Sequence, residues 1–175
     1  LQNLESLSSR LGVNVLLKRE DYQKIHSFKL RGAYHKIKNL DENQLKAGIV
    51  TASAGNHAQG VALSAKKLGI KAVIVMPTTT PDLKIDAVRN FGAEVVLYGD
   101  SFNESYDYAQ QLSKKKGLTM IPPYDDPDVI AGQGTIAHEL IGQCDNIDTI
   151  YVQIGGGGLA AGIAVYIKSL LPHVK

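Results

Sequence analysis

Apolar positions along the chain follow two alternating patterns. In short stretches almost every residue is apolar, as in Gly48–Ala52, Ala72–Met76, Glu94–Tyr98 and Leu118–Ile121. Between them the apolar residues recur three or four apart, as in Val61, Ala65 and Leu68, or Leu83, Ile85, Val88 and Phe91. The first pattern predicts strands and the second helices. Strands that are apolar throughout, rather than at every second position, are covered on both faces, so an α/β fold with an open parallel sheet is expected.

The ends of the helices are written in their punctuation. Gly12, Gly69 and Gly92 stop helices, Asp41 is placed to cap a short helix to Ala47, Asp82 opens another, and a further helix is expected over Ser101–Lys116. Toward the amino end a helix is expected over Leu4–Leu11, then a buried strand over Val13–Leu17, then the charged run Lys18-Arg19-Glu20-Asp21. Toward the carboxyl end, Val129, Ile130, Ile136, Leu140 and Ile141 mark a helical region interrupted by Gly132-Gln133-Gly134. A strand is expected over Thr149–Ile154 and a helix over Leu159–Leu171. There is no tandem repeat, and the Pro122-Pro123 turn is the best boundary between two lobes.

Composition narrows the classes of partner. A chain of 175 residues, 44% hydrophobic and 21% charged, is long enough for one domain or two small lobes and carries no signature of disorder. Its 19 basic and 17 acidic side chains are dispersed and leave a formal charge of +2, so no footprint for nucleic acid or an anionic membrane is present. Cys144 is the single cysteine, which excludes an internal disulfide and fits a reducing compartment, either the cytoplasm or an organelle of a eukaryote. The histidines are not grouped with carboxylates in a ligand-like spacing, so no metal is expected. The longest apolar run, Leu159–Ile167, is too short to cross a bilayer, and no signal-peptide pattern is read at the start. The chain begins at Leu1 and stops just after a helix, before the strand that the alternation would supply next. A piece of a longer protein is therefore expected.

Candidate chemistry lies in three turns. Lys29 falls in the first turn of a predicted helix, with Ser27 as a plausible N-cap, and there a cation faces the positive end of the helix dipole. A solvated surface lysine is the ordinary reading of any one such residue. In an open parallel sheet, however, ligands bind beyond the carboxyl ends of the strands, and two strand-to-helix turns are unusual. Gly155-Gly156-Gly157-Gly158 offers bare backbone N–H groups at a helix start, suited to a phosphate, although tight packing explains one or two of these glycines equally well. Gly155, Gly157 and Ala160 also satisfy a loose dinucleotide pattern, which leaves a nicotinamide-binding domain as an alternative. Ser53-Ala54-Gly55-Asn56-His57 brings a hydroxyl, an amide and an imidazole to a helix start, suited to a carboxylate, or else simply caps that helix. A phosphate cradle, a carboxylate cradle and a lysine that deprotonates easily fit pyridoxal phosphate held as a Schiff base.

With these motifs in hand a resemblance is clear. Ser27-Phe28-Lys29-Leu30-Arg31-Gly32-Ala33, Ser53-Ala54-Gly55-Asn56-His57-Ala58-Gln59-Gly60 and Gly155-Gly156-Gly157-Gly158-Leu159, in that order, resemble the threonine dehydratase group of fold-type II pyridoxal-phosphate enzymes. Lys18-Arg19-Glu20-Asp21, Pro122-Pro123-Tyr124-Asp125-Asp126-Pro127 and Ala131-Gly132-Gln133-Gly134-Thr135 extend the likeness over the whole chain. The resemblance implies a two-lobed, tryptophan-synthase-β-like α/β fold. Residues 1–21 would begin a large lobe, 22–121 would form a small lobe, and 122–175 would return to a large lobe that stays incomplete. It implies that Lys29 holds the cofactor covalently, Phe28 packs on its ring, Asn56 bonds its ring hydroxyl, and the backbone of Gly155, Gly156, Gly157, Gly158 and Leu159 holds its phosphate. Ser53, Ala54, Gly55 and His57 would surround the substrate carboxylate.

The implied reaction is loss of water from L-threonine, or L-serine, giving a 2-oxo acid and ammonia. Serine racemases of the family carry a second acid/base serine where this chain has Ala54, so elimination is expected over racemisation. His26 with Ala33-Tyr34 leans toward the enzyme of isoleucine biosynthesis, while Tyr124-Asp125-Asp126 is shared with the degradative type. A homo-oligomer, a partner serine for the pyridine nitrogen and any regulatory domain would belong to a longer chain. On that account these 175 residues alone would be catalytically silent.

Overall fold

A computed structural model describes residues 1–175. The elements in order are β1 (Gln2–Asn3), α1 (Glu5–Leu11), β2 (Leu16–Leu17), α2 (Lys29–Lys38), α3 (Glu42–Ala47), β3 (Ile49–Ala52), α4 (Asn56–Leu68), β4 (Ala72–Met76), α5 (Asp82–Arg89), β5 (Glu94–Leu97), α6 (Phe102–Lys116), β6 (Thr119–Met120), α7 (Pro127–Gln143) and α8 (Gly158–Leu170). Asp41 and Ser101 cap α3 and α6 through full capping boxes, with Gln44 and Glu104 returning the bond. Gly12, Gly69 and Gly117 end α1, α4 and α6 in the left-handed conformation.

Four strands form one parallel sheet in the order β5-β4-β3-β6. From β3 the chain steps outward to β4 and β5, then crosses back to place β6 on the other side of β3. The carboxyl end of β3 is thus a topological switch point, where a crevice opens between connections that leave in opposite directions. Ile49, Ile74 and Met76 pack with Ile37, Val61, Ile85 and Val88 of α2, α4 and α5. Val50, Val73 and Val75 pack with Ala109 and Leu112 of α6. Both faces of the sheet are covered, which is why the central strand β4 is apolar and buried at every position. A separate core joins Ile136, Ala137 and Leu140 of α7 to Leu159, Ile163 and Ile167 of α8.

Three expectations change. The strand expected over Val13–Leu17 shrinks to Leu16–Leu17, antiparallel to Gln2–Asn3, and is exposed rather than buried because no layer covers it. Thr149–Ile154 is not a strand. Its neighbourhood holds only the bonds from Ile150 N–H to the Lys175 carbonyl (2.8 Å) and from Lys175 N–H to the Asp148 carbonyl (2.9 Å). A segment becomes a strand only beside a partner, and Tyr151 and Ile154 stand exposed. Finally, Gly132-Gln133-Gly134 does not interrupt its helix: α7 runs unbroken through it, and the glycines are where neighbouring backbones touch.

Candidate active site

Lys29 is the first residue of α2. Phe28, not Ser27, occupies the N-cap position, and it makes no side-chain cap. The Ser27 hydroxyl still serves the turn, accepting the Lys29 N–H at 3.3 Å. Three residues earlier His26 has φ +54°, a conformation that costs a residue with a Cβ, and its Nδ1 bonds the Asp21 carbonyl at 2.9 Å. Gly60 fixes how close α4 comes, since a Cβ there would lie 3.1 Å from the Lys29 carbonyl carbon and oxygen. The Lys29 ammonium donates to the Pro123 carbonyl at 2.5 Å and lies 5.6 Å from the centre of the Phe28 ring. Burial pushes its pKa below the usual lysine value, so the neutral amine forms more readily than on the surface.

The glycine loop faces the same space. A cavity of about 230 Å³ is lined by Phe28, Lys29, Pro123, Tyr124, Gln133 and Gln153, together with the backbone of Gly155–Leu159. The N–H groups of Gly155, Gly156, Gly157, Gly158, Leu159 and Ala160 donate to no acceptor in the chain, and the first bond of α8 is Ala161 N–H to the Gly157 carbonyl at 2.9 Å. Unused donors at a helix start, with its dipole behind them, form an anion cradle. The glycines themselves are a weaker argument than their number suggests. A Cβ on Gly156 would meet the Tyr124 ring at 2.3 Å, one on Gly158 the Tyr124 carbonyl oxygen at 2.6 Å, and Gly157 has φ +85°. Only Gly155 is free of a steric reason to be glycine.

At the switch point, Gly55 caps α4 and its N–H bonds the Ser53 hydroxyl at 3.2 Å, while Ser53 N–H continues the sheet to the Val75 carbonyl. The N–H groups of Ala54, Asn56, His57 and Ala58 have no acceptor, a second cradle. Asn56 is exposed and its amide is unengaged, whereas the methyl of Ala54 brings no acid or base. The His57 ring is buried and its Nε2–H donates to the Ile121 carbonyl at 3.0 Å. Its pKa falls to about 4, chiefly through burial, with the Lys29 charge adding a little and the Ile121 carbonyl opposing. The imidazole is therefore neutral and committed to β6's end, so what His57 offers a ligand is its backbone N–H. Residues 53–57 do not line the lysine cavity.

Sequence reasoning overlooked the group that braces the lysine. Arg31 makes paired bonds to Glu20 (2.8 and 2.8 Å) and to Glu139 (2.6 and 2.9 Å), and Lys18 reaches Glu139 at 2.5 Å. The turn before α2 is thereby tied to α7. A second depression of about 270 Å³ beside this network is lined by charges already paired with one another. Tyr124 and Gln133 were visible within quoted motifs, but nothing local marked them as lining the cavity.

The model of the pyridoxal-phosphate dependent enzyme family matches residues 1–175. The chain belongs to that family. Among its relatives, a Pasteurella multocida protein named L-threonine dehydratase biosynthetic IlvA is 59% identical over 175 residues, and the Escherichia coli K12 protein of the same name is 58% identical. All of this chain and 34% of each relative are covered, so the chain spans about a third of their length. The solved processed form of threonine deaminase isoform 2 from Solanum lycopersicum superposes with a TM-score of 0.98 at 55% identity, over 100% of this chain and 51% of that one. Maize serine racemase superposes with a TM-score of 0.96 at 37% identity, over 99% and 53%. The family's cofactor has a phosphate and an aldehyde, and the cavity offers unused N–H donors and a half-buried amine. The residues present fit the group.

Proposed function

We propose that the protein containing this chain is a threonine dehydratase. It removes water from L-threonine, and from L-serine, to give 2-oxobutanoate or pyruvate and ammonia, as the first step toward isoleucine. One observation carries this reading: a lysine whose burial favours the neutral amine shares a single cavity with a run of unused backbone donors. The names of the 54–59% identical relatives support the substrate and the biosynthetic role.

Bound in the cavity, the cofactor supplies an electron sink for the pair left at the substrate α-carbon when its proton departs. The protein's part is placement and proton handling. The N–H groups of Gly155, Gly156, Gly157, Gly158 and Leu159 would hold the phosphate, Phe28 would lie against the ring, and the Asn56 amide would reach the ring hydroxyl. The backbone of Ser53, Ala54, Gly55 and His57, with the Ser53 hydroxyl, receives the amino-acid carboxylate at the α4 start. Lys29 would hold the cofactor covalently, and its Nζ would take the substrate α-proton. The Pro123 carbonyl is positioned to hold the resulting ammonium. Ala54 gives no donor on the opposite face, so the fate of the α-carbon is elimination rather than racemisation.

The lobes follow residues 1–21, 22–121 and 122–175, and the whole protein works as a homo-oligomer in the cytoplasm or a eukaryotic organelle. No helix of the chain is long and apolar enough to cross a membrane. The test is release of 2-oxobutanoate and ammonia from threonine by the full-length protein. Lys29→Ala is expected to abolish turnover together with the borohydride-bleachable visible band. Turnover surviving in Lys29→Ala refutes the role of Lys29.

A further inference from the structure

Gln133 is a buried carboxamide in the middle of α7, 1% exposed, with a glycine on either side. Those glycines let other backbones close in. A Cβ on Gly132 would stand 2.6 Å from the Gly32 Cα, and one on Gly134 3.0 Å from the Gly162 carbonyl oxygen. α7 is pressed between α2 and α8, and the Gln133 amide lies on the first turn of α2, where its Oε1 accepts the Gly32 N–H at 3.2 Å. That N–H makes no bond of normal geometry to the Phe28 carbonyl one turn back. The Phe28 carbonyl, which a regular α-turn would offer it, instead takes the Arg31 N–H at 3.0 Å. Because an N–H needs an acceptor opposite it, the amide's orientation is fixed with Oε1 toward Gly32. Gln133 also lines the cavity that holds Lys29.

We propose that Gln133 is a positioning residue for Lys29. Its oxygen satisfies the Gly32 N–H and so maintains the tight first turn of α2 from which the Lys29 amine enters the cavity that it shares with the glycine loop. A turn closed by three-residue bonds advances about 120° per residue against about 100° in an α-helix. Without Gln133 the Gly32 N–H is drawn back to the Phe28 carbonyl, the turn relaxes, and Lys29 is re-aimed by tens of degrees. The proposal rests on the reading of Lys29 given above and adds the group that directs it.

The experiment uses the cofactor-free full-length protein with Gln133→Met, which fills the space without an acceptor, and Gln133→Glu, which keeps an acceptor at the same reach. Covalent uptake of pyridoxal phosphate is followed by absorbance and located by borohydride reduction and peptide mapping. In parallel, labelling of Lys29 by an amine-directed acylating reagent is measured against pH, with the exposed Lys46 as the internal control. Gln133→Met is expected to slow both uptake and Lys29 labelling about tenfold, the scale of one hydrogen bond lost, with Lys46 unchanged. Gln133→Glu is expected to recover uptake to within about threefold of wild type. Uptake and labelling by Gln133→Met at wild-type rates overturn the proposal. If Gln133→Met does not fold, the Glu variant decides: near-wild-type uptake supports the clamp, and a tenfold loss overturns it. A wild-type protein that takes up no cofactor on Lys29 is a distinct failure, and it overturns the reading of the site itself.

Discussion

Acidification should expose the cost of burying His57. Folded, its ring resists protonation until about pH 4, because burial disfavours the cation and the Lys29 charge adds to this. Unfolded, it titrates near the ordinary value of 6.5. Above that value both states carry a neutral ring and the difference contributes nothing to the pH dependence. As pH falls from about 6.5 toward about 4, only the unfolded chain gains the proton, so stability falls with falling pH. At about 1.4 kcal/mol per pH unit the loss reaches about 2.5 kcal/mol by pH 4.5 and levels off at about 3.4 kcal/mol below pH 4. That is a large part of the stability of an ordinary domain, about 5–15 kcal/mol. Carboxylates also titrate in this range, so the measurement is a difference: urea unfolding of the parent protein and its His57→Gln variant, from about pH 7.5 to about pH 4.5. The wild type should lose about 2.5 kcal/mol more than the variant over that span. Equal slopes for the two proteins refute the reasoning, as does exchange of the His57 ring C–H with a midpoint near 6.5.

Two further perturbations test the packing around the cavity. Gly156→Ala drives a Cβ against the Cγ end of the Tyr124 ring, so it should weaken cofactor affinity about tenfold, the scale of a core overpacking penalty. Gly155→Ala should be nearly silent, and Tyr124→Ala should rescue Gly156→Ala in a double-mutant cycle of cofactor affinity. Arg31→Met leaves the largely buried Glu20 without its partner and should cost about 3 kcal/mol in urea unfolding at neutral pH. Arg31, with Lys18, holds the Glu139 carboxyl at about 2, which favours the folded state above the ordinary value of 4.5 and is lost as pH falls toward about 2. The variant should therefore show a flatter loss of stability over that acid range.

Much of the α/β architecture was legible because its signals are local. Asp41 and Ser101 bond N–H groups three residues away, and the apolar runs at Val73 and Ile74 report faces that are both covered. The lysine and glycine-loop motifs were legible for the same reason, as short strings at strand-to-helix turns. Thr149–Ile154 failed as a strand because pairing is a property of two segments, and the apolar pattern describes one. Gly132 and Gly134 were misread as a break because a glycine that admits a neighbouring backbone looks the same in sequence as one that ends a helix.

By itself, then, the sequence determined most of the elements, the Asp41 cap, the parallel character of the sheet, and the family to which its motifs belong. Tertiary structure alone decided which side chains meet. Gln133 reaches Gly32 across 101 positions, Lys29 reaches Pro123 across 94, and the His57 ring turns to Ile121 instead of a ligand. It also reassigned the four glycines, since contact with Tyr124 and one positive φ account for three of them. The division has a physical cause: backbone hydrogen bonding and periodicity act over a few residues, whereas the approach of α2, α7 and the glycine loop is set by how whole helices pack.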